Sequence, residues 1–209
     1  MSNSKEIGII DCGISNLGSI SQTISNLGHT PIIVSDPELV VGMSHIIFPG
    51  QGTFREGMKR VVNRGWHESL RSEVLDQGTP ILGICLGMQL FANCGNEGGL
   101  VDGLGFIDGE VSKLSSGIFR IPHIGWNTVN QSRDSRLFSG IPQEIDFYFS
   151  HSFVINLDNH SFVTATCTYG QTFVSSIENK NIFGTQFHPE KSSKAGRQIL
   201  KNFCEIEQC

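Results

Sequence analysis

One cysteine of this chain lies in a sequence pattern that suits a catalytic nucleophile. The segment Gly83-Ile84-Cys85-Leu86-Gly87 stands where an apolar run gives way to a helical pattern, and it matches the nucleophile-elbow motif with cysteine in place of serine. Flanking glycines permit a tight turn that lifts the side chain clear of the backbone, and the positive end of a following helix favours thiolate over thiol. Taken alone, the pentapeptide is equally compatible with a small buried cysteine among apolar neighbours.

A second segment offers a base and a carboxylate. Phe187-His188-Pro189-Glu190 follows the apolar run 182–187, and residues two apart on an extended chain point to the same side. An imidazole oriented by a carboxylate and delivered to a cysteine is the general plan of thiol catalysis. More than a hundred residues separate His188 from Cys85, so only the fold can bring them together. Combined with the elbow, catalysis is favoured over a solvated histidine–acid pair.

A third segment is a candidate for stabilising negative charge. Pro49-Gly50-Gln51-Gly52 ends another apolar run, and its glycines allow main-chain N–H groups to point into a cleft. An elbow enzyme binds its oxyanion with the N–H after the nucleophile, here Leu86, and one from a neighbouring strand-to-helix loop. The Gln51 region is the candidate for that second donor, although the segment alone is also compatible with a plain glycine turn.

The elements that must position these segments alternate between apolar runs and helical periodicity. Residues 16–27 carry apolar side chains at spacings of three and four, which predicts an amphipathic helix. Such alternation predicts an α/β fold with a mostly parallel central sheet and helices on both faces. The predicted strands of this half are 7–10, 31–34, 45–48 and 81–84, and the predicted helices are 16–27, 54–77 (broken near Gly65) and 86–93.

The second half of the chain is richer in β-forming residues. We expect antiparallel strands added to the core sheet, followed by a last helix over about 194–204. The predicted strands are 105–114, 146–155, 161–168, 172–178 and 182–187. No linker composition interrupts the sequence, which predicts one domain over residues 1–209.

Composition excludes several classes of function. Acidic residues number 20 and basic residues 15, a formal net charge of −5, which disfavours binding to nucleic acid or to an anionic membrane. The longest apolar stretch, 80–92, is shorter than the ~18 residues of a membrane span. No targeting signal is found, and the six cysteines form neither a CxxC pair nor a zinc-type cluster. We therefore expect a cytoplasmic protein without metal or cofactor.

The three segments, in this order, resemble the class I (triad-type) glutamine amidotransferases. The segments 83–89 and 184–192 carry the resemblance around the cysteine and the His/Glu pair. Within that family the chain is most similar to the glutaminase subunits of imidazole glycerol phosphate synthase, over nearly its whole length. Supporting segments are 9–17, 122–127 and 147–153.

The resemblance implies a reaction and a set of roles. Cys85 would attack the side-chain amide of L-glutamine, while His188, oriented by Glu190, moves the proton. Ammonia would leave, and water would hydrolyse the thioester to glutamate. Gln89 and Glu97 would hold the glutamine. Backbone contacts to it would come from Gly50, Gly52, His151, Ser152 and Phe153.

The resemblance also implies a partner. Ammonia would pass through a channel to a (β/α)₈-barrel cyclase subunit, which forms imidazole glycerol phosphate in histidine biosynthesis. Asn16, Trp126 and Tyr148 fall where the family meets that partner. Each also has a simpler interpretation, because Asn16 would serve as a helix N-cap and the two aromatic residues as core side chains.

Three positions depart from the family pattern. Gln51 stands where a small apolar residue is usual, Ser150 where valine is common and Phe153 where tyrosine is common. Gln51 lies in the expected oxyanion loop. Phe153 lacks the hydroxyl of tyrosine, but its backbone can make the same contacts.

Other functions are compatible with parts of the sequence. Paralogous glutaminases supply ammonia to a sugar-modifying synthase subunit that amidinates a bacterial surface polysaccharide, and segment 103–109 resembles theirs too. A nucleotide-binding module is disfavoured because Ser19 occupies the place of the P-loop lysine. A cysteine peptidase is the third alternative, distinguished by cleavage of peptides rather than of free glutamine.

Overall fold

The computed structural model describes residues 4–13, 15, 17–115 and 117–207. The described part contains two β-sheets and the helices that pack on them. The strands are β1 (Glu6–Ile10), β2 (Thr30–Val34), β3 (His45–Gly50), β4 (Ile81–Cys85), β5 (Cys94–Gly95), β6 (Val101–Asp102), β7 (Gly109–Lys113), β8 (His123–Gln131), β9 (Ile145–His151), β10 (Phe153–Leu157), β11 (Val163–Tyr169), β12 (Gln171–Asn179) and β13 (Ile182–Thr185).

The helices are mostly short. The α-helices are α1 (Leu17–Asn26), α2 (Phe54–Asn63), α3 (Trp66–Arg71), α4 (Leu86–Gln89) and α5 (Ser193–Glu205). A π-helical turn, Ser72–Asp76, extends α3, and 3₁₀ helices lie at Pro37–Val40, His160–Phe162 and Pro189–Lys191. In the described ranges, none of the helices combines the length and apolar character that crossing a membrane requires.

The larger sheet has nine strands in the order β2-β1-β3-β4-β13-β12-β11-β8-β9. The first five are parallel to one another, and the last four continue the sheet in antiparallel pairs. The predicted α/β fold with added antiparallel strands is thus confirmed. Because the carboxyl ends of parallel strands meet at one edge of a sheet, the segments that follow β3, β4 and β13 come together there.

The parallel strands are buried on both faces. Ile47 on β3 packs in the cluster that includes α1 and α5, whereas Ile46 and Phe48 pack in the cluster that includes α2 and α3. Successive side chains of a strand point to opposite faces, so a run of apolar residues on β3 serves two layers of helices. This explains why these strands are continuous apolar runs in the sequence.

The second sheet differs from the predicted arrangement. It has four strands in the order β10-β7-β5-β6. The predicted strand 146–155 is broken at Ser152 into β9 and β10, and β10 leaves the core sheet to pair with β7. The predicted strand 105–114 contributes only its last part, as β7, to this separate sheet. Strand β8 was not predicted, because its sequence, HIGWNTVNQ, contains no continuous apolar run.

Helix α4 is also shorter than the predicted helix 86–93. Its following turn presents carbonyl groups to another segment rather than continuing the helix. The N–H of Leu104 donates to the Leu90 carbonyl at 2.8 Å, and the N–H of Phe106 donates to the Phe91 carbonyl at 2.8 Å. These long-range bonds satisfy the groups that a longer helix would have used internally.

Candidate active site

Cys85 ends β4 in a strained conformation. Its φ of 55° and ψ of −110° lie in a region that residues with a Cβ rarely adopt, at a cost of about 1–3 kcal/mol. The flanking glycines have a different role from the one expected, since neither has a positive φ. A Cβ on Gly87 would overlap the carbonyl oxygen of Phe48, and one on Gly83 would collide with the backbone of Met88. The elbow therefore needs glycine for close packing, while the cysteine itself carries the strain.

His188 is held next to the elbow by its backbone and by Glu190. Its N–H donates to the Tyr148 carbonyl at 2.9 Å, and its own carbonyl accepts from the Ser192 hydroxyl at 2.6 Å. The ring Nδ1 lies 2.9 Å from Glu190 Oε1, and both side chains are 3% exposed. Two elements thus fix the main chain on either side of a ring that a buried carboxylate orients.

The charge state of His188 follows from its neighbours. Burial on its own lowers the pKa of the imidazole. Hydrogen bonding and electrostatic attraction from Cys85 and Glu190 outweigh burial and raise the pKa of His188 to about 9. The ring is therefore an imidazolium at neutral pH, with one nitrogen facing a carboxylate and the other side facing the sulfur.

The sulfur of Cys85 has two further polar neighbours. The thiol donates to the Ser150 carbonyl at 3.8 Å, and the side-chain amide nitrogen of Gln186 donates to the sulfur at 3.7 Å. Helix α4 has only four residues, so its dipole is far smaller than the sequence argument assumed. The polar contacts of the sulfur therefore come from Gln186, in the segment after β13, and from Ser150 on β9.

Other cysteines of the described residues are chemically different. Burial raises the pKa of Cys12, Cys167 and Cys204 to about 12, so these thiols are protonated at physiological pH. None of the three lines the cavity that opens over Cys85. Electrophiles are therefore expected to react with Cys85 rather than with these three buried thiols.

A cavity of about 310 Å³ opens over Cys85, which is within the usual size range of small-ligand sites. It brings together most of the residues that the sequence analysis singled out. The lining residues are Gln51, Gly52, Cys85, Leu86, Gln89, Glu97, Pro122, Ser150, His151, Ser152, Phe153, His188 and Lys191. Pro122 and Lys191 lie in the segments 122–127 and 184–192 of the resemblance, but neither was predicted to be a site residue.

Gly50 lies outside this cavity. Its Cα packs against the elbow, and a Cβ there would lie 3.0 Å from Gly87 N and from Leu86 Cβ. Gly50 lines a smaller space behind the site instead, together with Ser15 and Glu190. Within the described residues, Ser15 Oγ and Glu190 Oε2 are buried without a hydrogen-bond partner. The structure thus places Gly50 in the packing of the elbow.

Gln89 and Glu97 approach the cavity from two directions. Gln89 is buried, and its amide nitrogen donates to the Phe153 carbonyl at 2.8 Å. Glu97 Oε2 accepts from the N–H of Phe54 at 2.8 Å. Partial burial raises the pKa of Glu97, against the effect of that N–H. Its carboxylate is suited to a cationic group.

His151 also lines the cavity, in a neutral state. Its Nδ1 donates to the Phe153 carbonyl at 3.0 Å, so its Nε2 must accept, and His123 Nδ1 donates to it at 3.0 Å. Burial lowers the pKa of His151 to about 3 and that of His123 to about 4. This pair fixes the wall of the cavity without adding charge.

The family is decided by comparison with known proteins. Residues 8–206 match the family model for "Glutamine amidotransferase class-I". The chain is 44% identical over 202 residues to "Imidazole glycerol phosphate synthase subunit HisH" of Moorella thermoacetica, covering 97% of this chain and 95% of that protein. It is 42% identical to "Imidazole glycerol phosphate synthase subunit HisH 1" of Campylobacter jejuni, covering 96% of this chain and 100% of that protein.

The chain belongs to the class I glutamine amidotransferases.

Solved structures support the same fold. A crystal structure of a glutamine amidotransferase from Thermotoga maritima superimposes with a TM-score of 0.70 at 18% identity, covering 97% of this chain and 84% of that chain. A further crystal structure of a glutamine amidotransferase gives a TM-score of 0.75 at 17% identity, covering 95% of this chain and 97% of that chain. The arrangement of strands described above is therefore that of other amidotransferases.

Two of the predicted partner residues of this amidotransferase lie side by side next to the site. Trp126 and Tyr148 face each other across β8 and β9, with ring centroids 6.2 Å apart. Trp126 is 52% exposed, so it is not the core aromatic of the simpler interpretation. Lys191 Nζ lies 5.8 Å from the centre of the Tyr148 ring. The third predicted residue, Asn16, lies outside the described residues.

Metal chemistry has no candidate site in the part of the chain that the structure describes. No group of three or more histidine, cysteine, aspartate or glutamate side chains there could hold an ion.

Proposed function

We propose that this amidotransferase is the glutaminase subunit of an imidazole glycerol phosphate synthase, formed by one domain over residues 1–209. In this proposal Cys85 is the nucleophile, His188 the proton carrier and Glu190 the carboxylate that orients it. Ammonia passes through a channel to a cyclase subunit in the cytoplasm. The observation that carries the proposal is the buried His188 ring, which lies 2.9 Å from Glu190 and beside Cys85, with a pKa raised to about 9.

The first half of the reaction forms a thioester. The thiolate of Cys85 attacks the side-chain carbonyl carbon of glutamine, and the C=O electrons move to oxygen. The tetrahedral intermediate then collapses: the C–N bond breaks, and His188 gives its proton to the departing nitrogen, which leaves as ammonia. The imidazolium state of His188 supports this role, because the proton is already present when the leaving group needs it.

The second half of the reaction hydrolyses the thioester and regenerates the free enzyme. Neutral His188 takes a proton from water, the resulting hydroxide attacks the thioester carbonyl, and the C–S bond breaks to release glutamate and regenerate the thiolate. Glu190 stabilises the imidazolium that forms again. Water and glutamine are consumed, and glutamate and ammonia are produced, so the cycle balances without another reactant.

Two backbone N–H groups are proposed to bind the oxyanion in both halves. The first N–H groups of a helix have no acceptor within it, which makes Leu86 N–H available beside the sulfur. The second donor comes from the Gln51–Gly52 loop, which lines the same cavity. One such donor is worth about 10²–10³ in kcat.

The remaining cavity residues are proposed to hold the amino-acid part of glutamine. Glu97 is suited to the α-ammonium group, and Lys191 offers a cation on the same cavity for the α-carboxylate. Gln89 and the backbone of Gly52, His151, Ser152 and Phe153 complete the contact set. A pocket with both charges is expected to select a free amino acid over a peptide, whose backbone lacks them.

The partner proposal is supported by relatives and by one surface. The two relatives described above carry the name of an imidazole glycerol phosphate synthase subunit. Trp126 is half-exposed on β8, the strand that also carries His123, which bonds to the cavity residue His151. A partner that covers Trp126 therefore acts close to the glutamine site. Asn16 and Tyr148 complete the proposed interface.

A reconstituted complex tests the proposal. Purified chain is mixed with the cyclase subunit and its phosphoribulosyl substrate, and glutamate and imidazole glycerol phosphate are measured. We expect low activity alone, a rise with partner, and no detectable ammonia release from Cys85→Ala. Cys94→Ala is the matched control, because Cys94 is a free thiol outside the cavity. Full activity of Cys85→Ala would falsify the nucleophile assignment.

The acceptor of ammonia is tested separately. If glutaminase activity is present and Cys85-dependent but does not respond to the cyclase subunit, the alternative acceptor is a synthase that amidinates a bacterial surface sugar. Activation by that synthase in the same assay would support this alternative and contradict the histidine-biosynthesis assignment.

A further inference from the structure

A buried amide stands between the nucleophile and the glutamine-binding wall. Gln186 follows β13, two residues before His188, and it is completely buried. Its Nε2 lies 3.7 Å from Cys85 Sγ, and its Oε1 accepts from Gln89 Nε2 at 2.9 Å. Gln186 does not line the cavity, so it reaches the chemistry from behind the sulfur.

The orientation of this amide is determined by its neighbours. Gln89 Nε2 carries two hydrogens and has two oxygen acceptors, the Phe153 carbonyl at 2.8 Å and Gln186 Oε1 at 2.9 Å. The Phe153 carbonyl cannot donate, and it also accepts from His151 Nδ1 at 3.0 Å. Gln89 must therefore present its nitrogen to both acceptors. It follows that Gln186 presents its oxygen to Gln89 and its nitrogen to the sulfur.

Each end of Gln186 has a chemical consequence. An N–H donor beside sulfur stabilises the thiolate more than the thiol, because hydrogen bonds to charged groups are the stronger ones. The Ser150 carbonyl, 3.8 Å from the same sulfur, has the opposite preference, since it accepts only from the thiol. At the other end, using both hydrogens of Gln89 leaves Gln89 Oε1 as the acceptor that remains for substrate.

We propose that Gln186 is a further catalytic residue, which donates a hydrogen bond to the thiolate of Cys85 and holds Gln89 so that its oxygen accepts from the substrate. The inference rests on the proposed role of Cys85 as nucleophile. It assigns Gln186 a contact with the reacting atom and makes Gln89 an acceptor of N–H groups from the substrate.

Two substitutions test the two ends of the Gln186 side-chain amide separately. Gln186→Glu keeps an oxygen for Gln89 but replaces the donor to sulfur with an oxygen, whereas Gln186→Met removes both contacts at similar length. Ser176→Ala is the matched control. The Ser176 hydroxyl on β12 donates to the Gly184 carbonyl on β13 at 2.9 Å. The variant removes this buried hydrogen bond, and Ser176 does not contact the site.

Alkylation of Cys85 by iodoacetamide reports on the donor. The rate is followed from pH 5 to 10 by mass spectrometry of the Cys85 peptide, alongside kcat and KM for glutamine. We expect both Gln186 variants to alkylate about tenfold more slowly at pH 7, with the profile moved to higher pH. Gln186→Glu is expected to lose kcat with KM nearly unchanged, and Gln186→Met to raise KM as well. Ser176→Ala should match the wild type.

The outcomes distinguish this inference from the proposed function. If Cys85→Ala is inactive but both Gln186 variants fold, by circular dichroism, and keep the wild-type alkylation profile and kcat/KM, the role of Gln186 is overturned while the glutaminase assignment stands. If Cys85→Ala remains active, both the role of Gln186 and the proposed role of Cys85 as nucleophile are contradicted. Should Gln186→Met not fold, Gln186→Glu alone decides, because it is the same size and keeps the bond to Gln89.

Discussion

Two buried histidines line the same cavity in opposite charge states. The pKa of His188 is raised to about 9, whereas that of His151 is lowered to about 3. Burial lowers both values, so burial does not make the difference. The ring of His188 faces a carboxylate and a sulfur, while that of His151 faces a second neutral imidazole and a carbonyl. The groups that face each ring decide whether it is charged or neutral. The charged ring is available for proton transfer, whereas the neutral ring only shapes the wall of the cavity.

The largest expected effect comes from removing the charge that separates the two histidines. In Glu190→Gln the pKa of His188 should fall, because burial is then opposed only by Cys85, and the ring also loses its orienting acceptor. We expect kcat to fall by about 10³-fold or more, measured as ammonia release at saturating glutamine. Glu68→Gln, an exposed carboxylate on α3, is the control. Activity within twofold of wild type would contradict the role of Glu190.

The converse change gives His151 the kind of partner that His188 has. In His123→Asp a carboxylate oxygen replaces the Nδ1 donor, and the pKa of His151 should rise. His123→Asn is the matched control, because its amide keeps a neutral donor. We expect about a tenfold loss of kcat/KM in the aspartate variant, and an imidazolium signal for His151 in ¹⁵N NMR at pH 6. An unchanged His151 signal in both variants would refute the idea that the partner sets the charge.

The His123–His151 pair and His188 should also change the stability of the fold in opposite directions as pH changes. His123 and His151 have lowered pKa values when folded, so their contribution is present above pH ~6.5 and is lost as pH falls toward about 4 and 3. The contribution of His188 is present below pH ~6.5 and is lost as pH rises toward about 9.

Urea unfolding from pH 7 to 4 measures the first of these effects. Each histidine contributes at most about 1.4 kcal/mol per pH unit to the slope of the unfolding free energy against pH. His151→Asn should therefore lose stability less steeply with falling pH than the wild type. Parallel slopes for the two proteins would show that His151 is not neutral in the folded state.

The smallest expected effect concerns the backbone of His188 rather than its ring. The Ser192 hydroxyl accepts from Tyr148 N at 3.0 Å and donates to the His188 carbonyl at 2.6 Å. Ser192→Ala leaves both buried groups without this partner, at a cost of about 1–3 kcal/mol of stability. We expect only about a threefold loss of kcat and an unchanged pH optimum, because Glu190 is retained. A shifted pH optimum would mean that the backbone anchor also sets the charge of His188.

The candidate site and the sheet around it were predicted from different kinds of pattern. Cys85, His188 and Glu190 were proposed from short local patterns, and the structure places them next to one another. Strand β8 was missed because polar residues interrupt its apolar ones, and the break at Ser152 was missed because residues 146–155 form one run rich in β-forming residues. Gln186 lies in segment 184–192, which carries the resemblance, but it was given no role, since the role of a buried amide becomes clear only when its two contacts are known.

What the sequence determined by itself was the choice of residue types at short range: a cysteine between glycines, an imidazole two residues from a carboxylate, and apolar runs that alternate with helical periodicity. These follow from local geometry and from the need to bury apolar surface. Only the tertiary structure decided which histidine has the raised pKa, that α4 is only four residues long, and that Gln186 lies between the nucleophile and Gln89. Those properties depend on groups far apart in the chain, whose separation and burial exist only after folding.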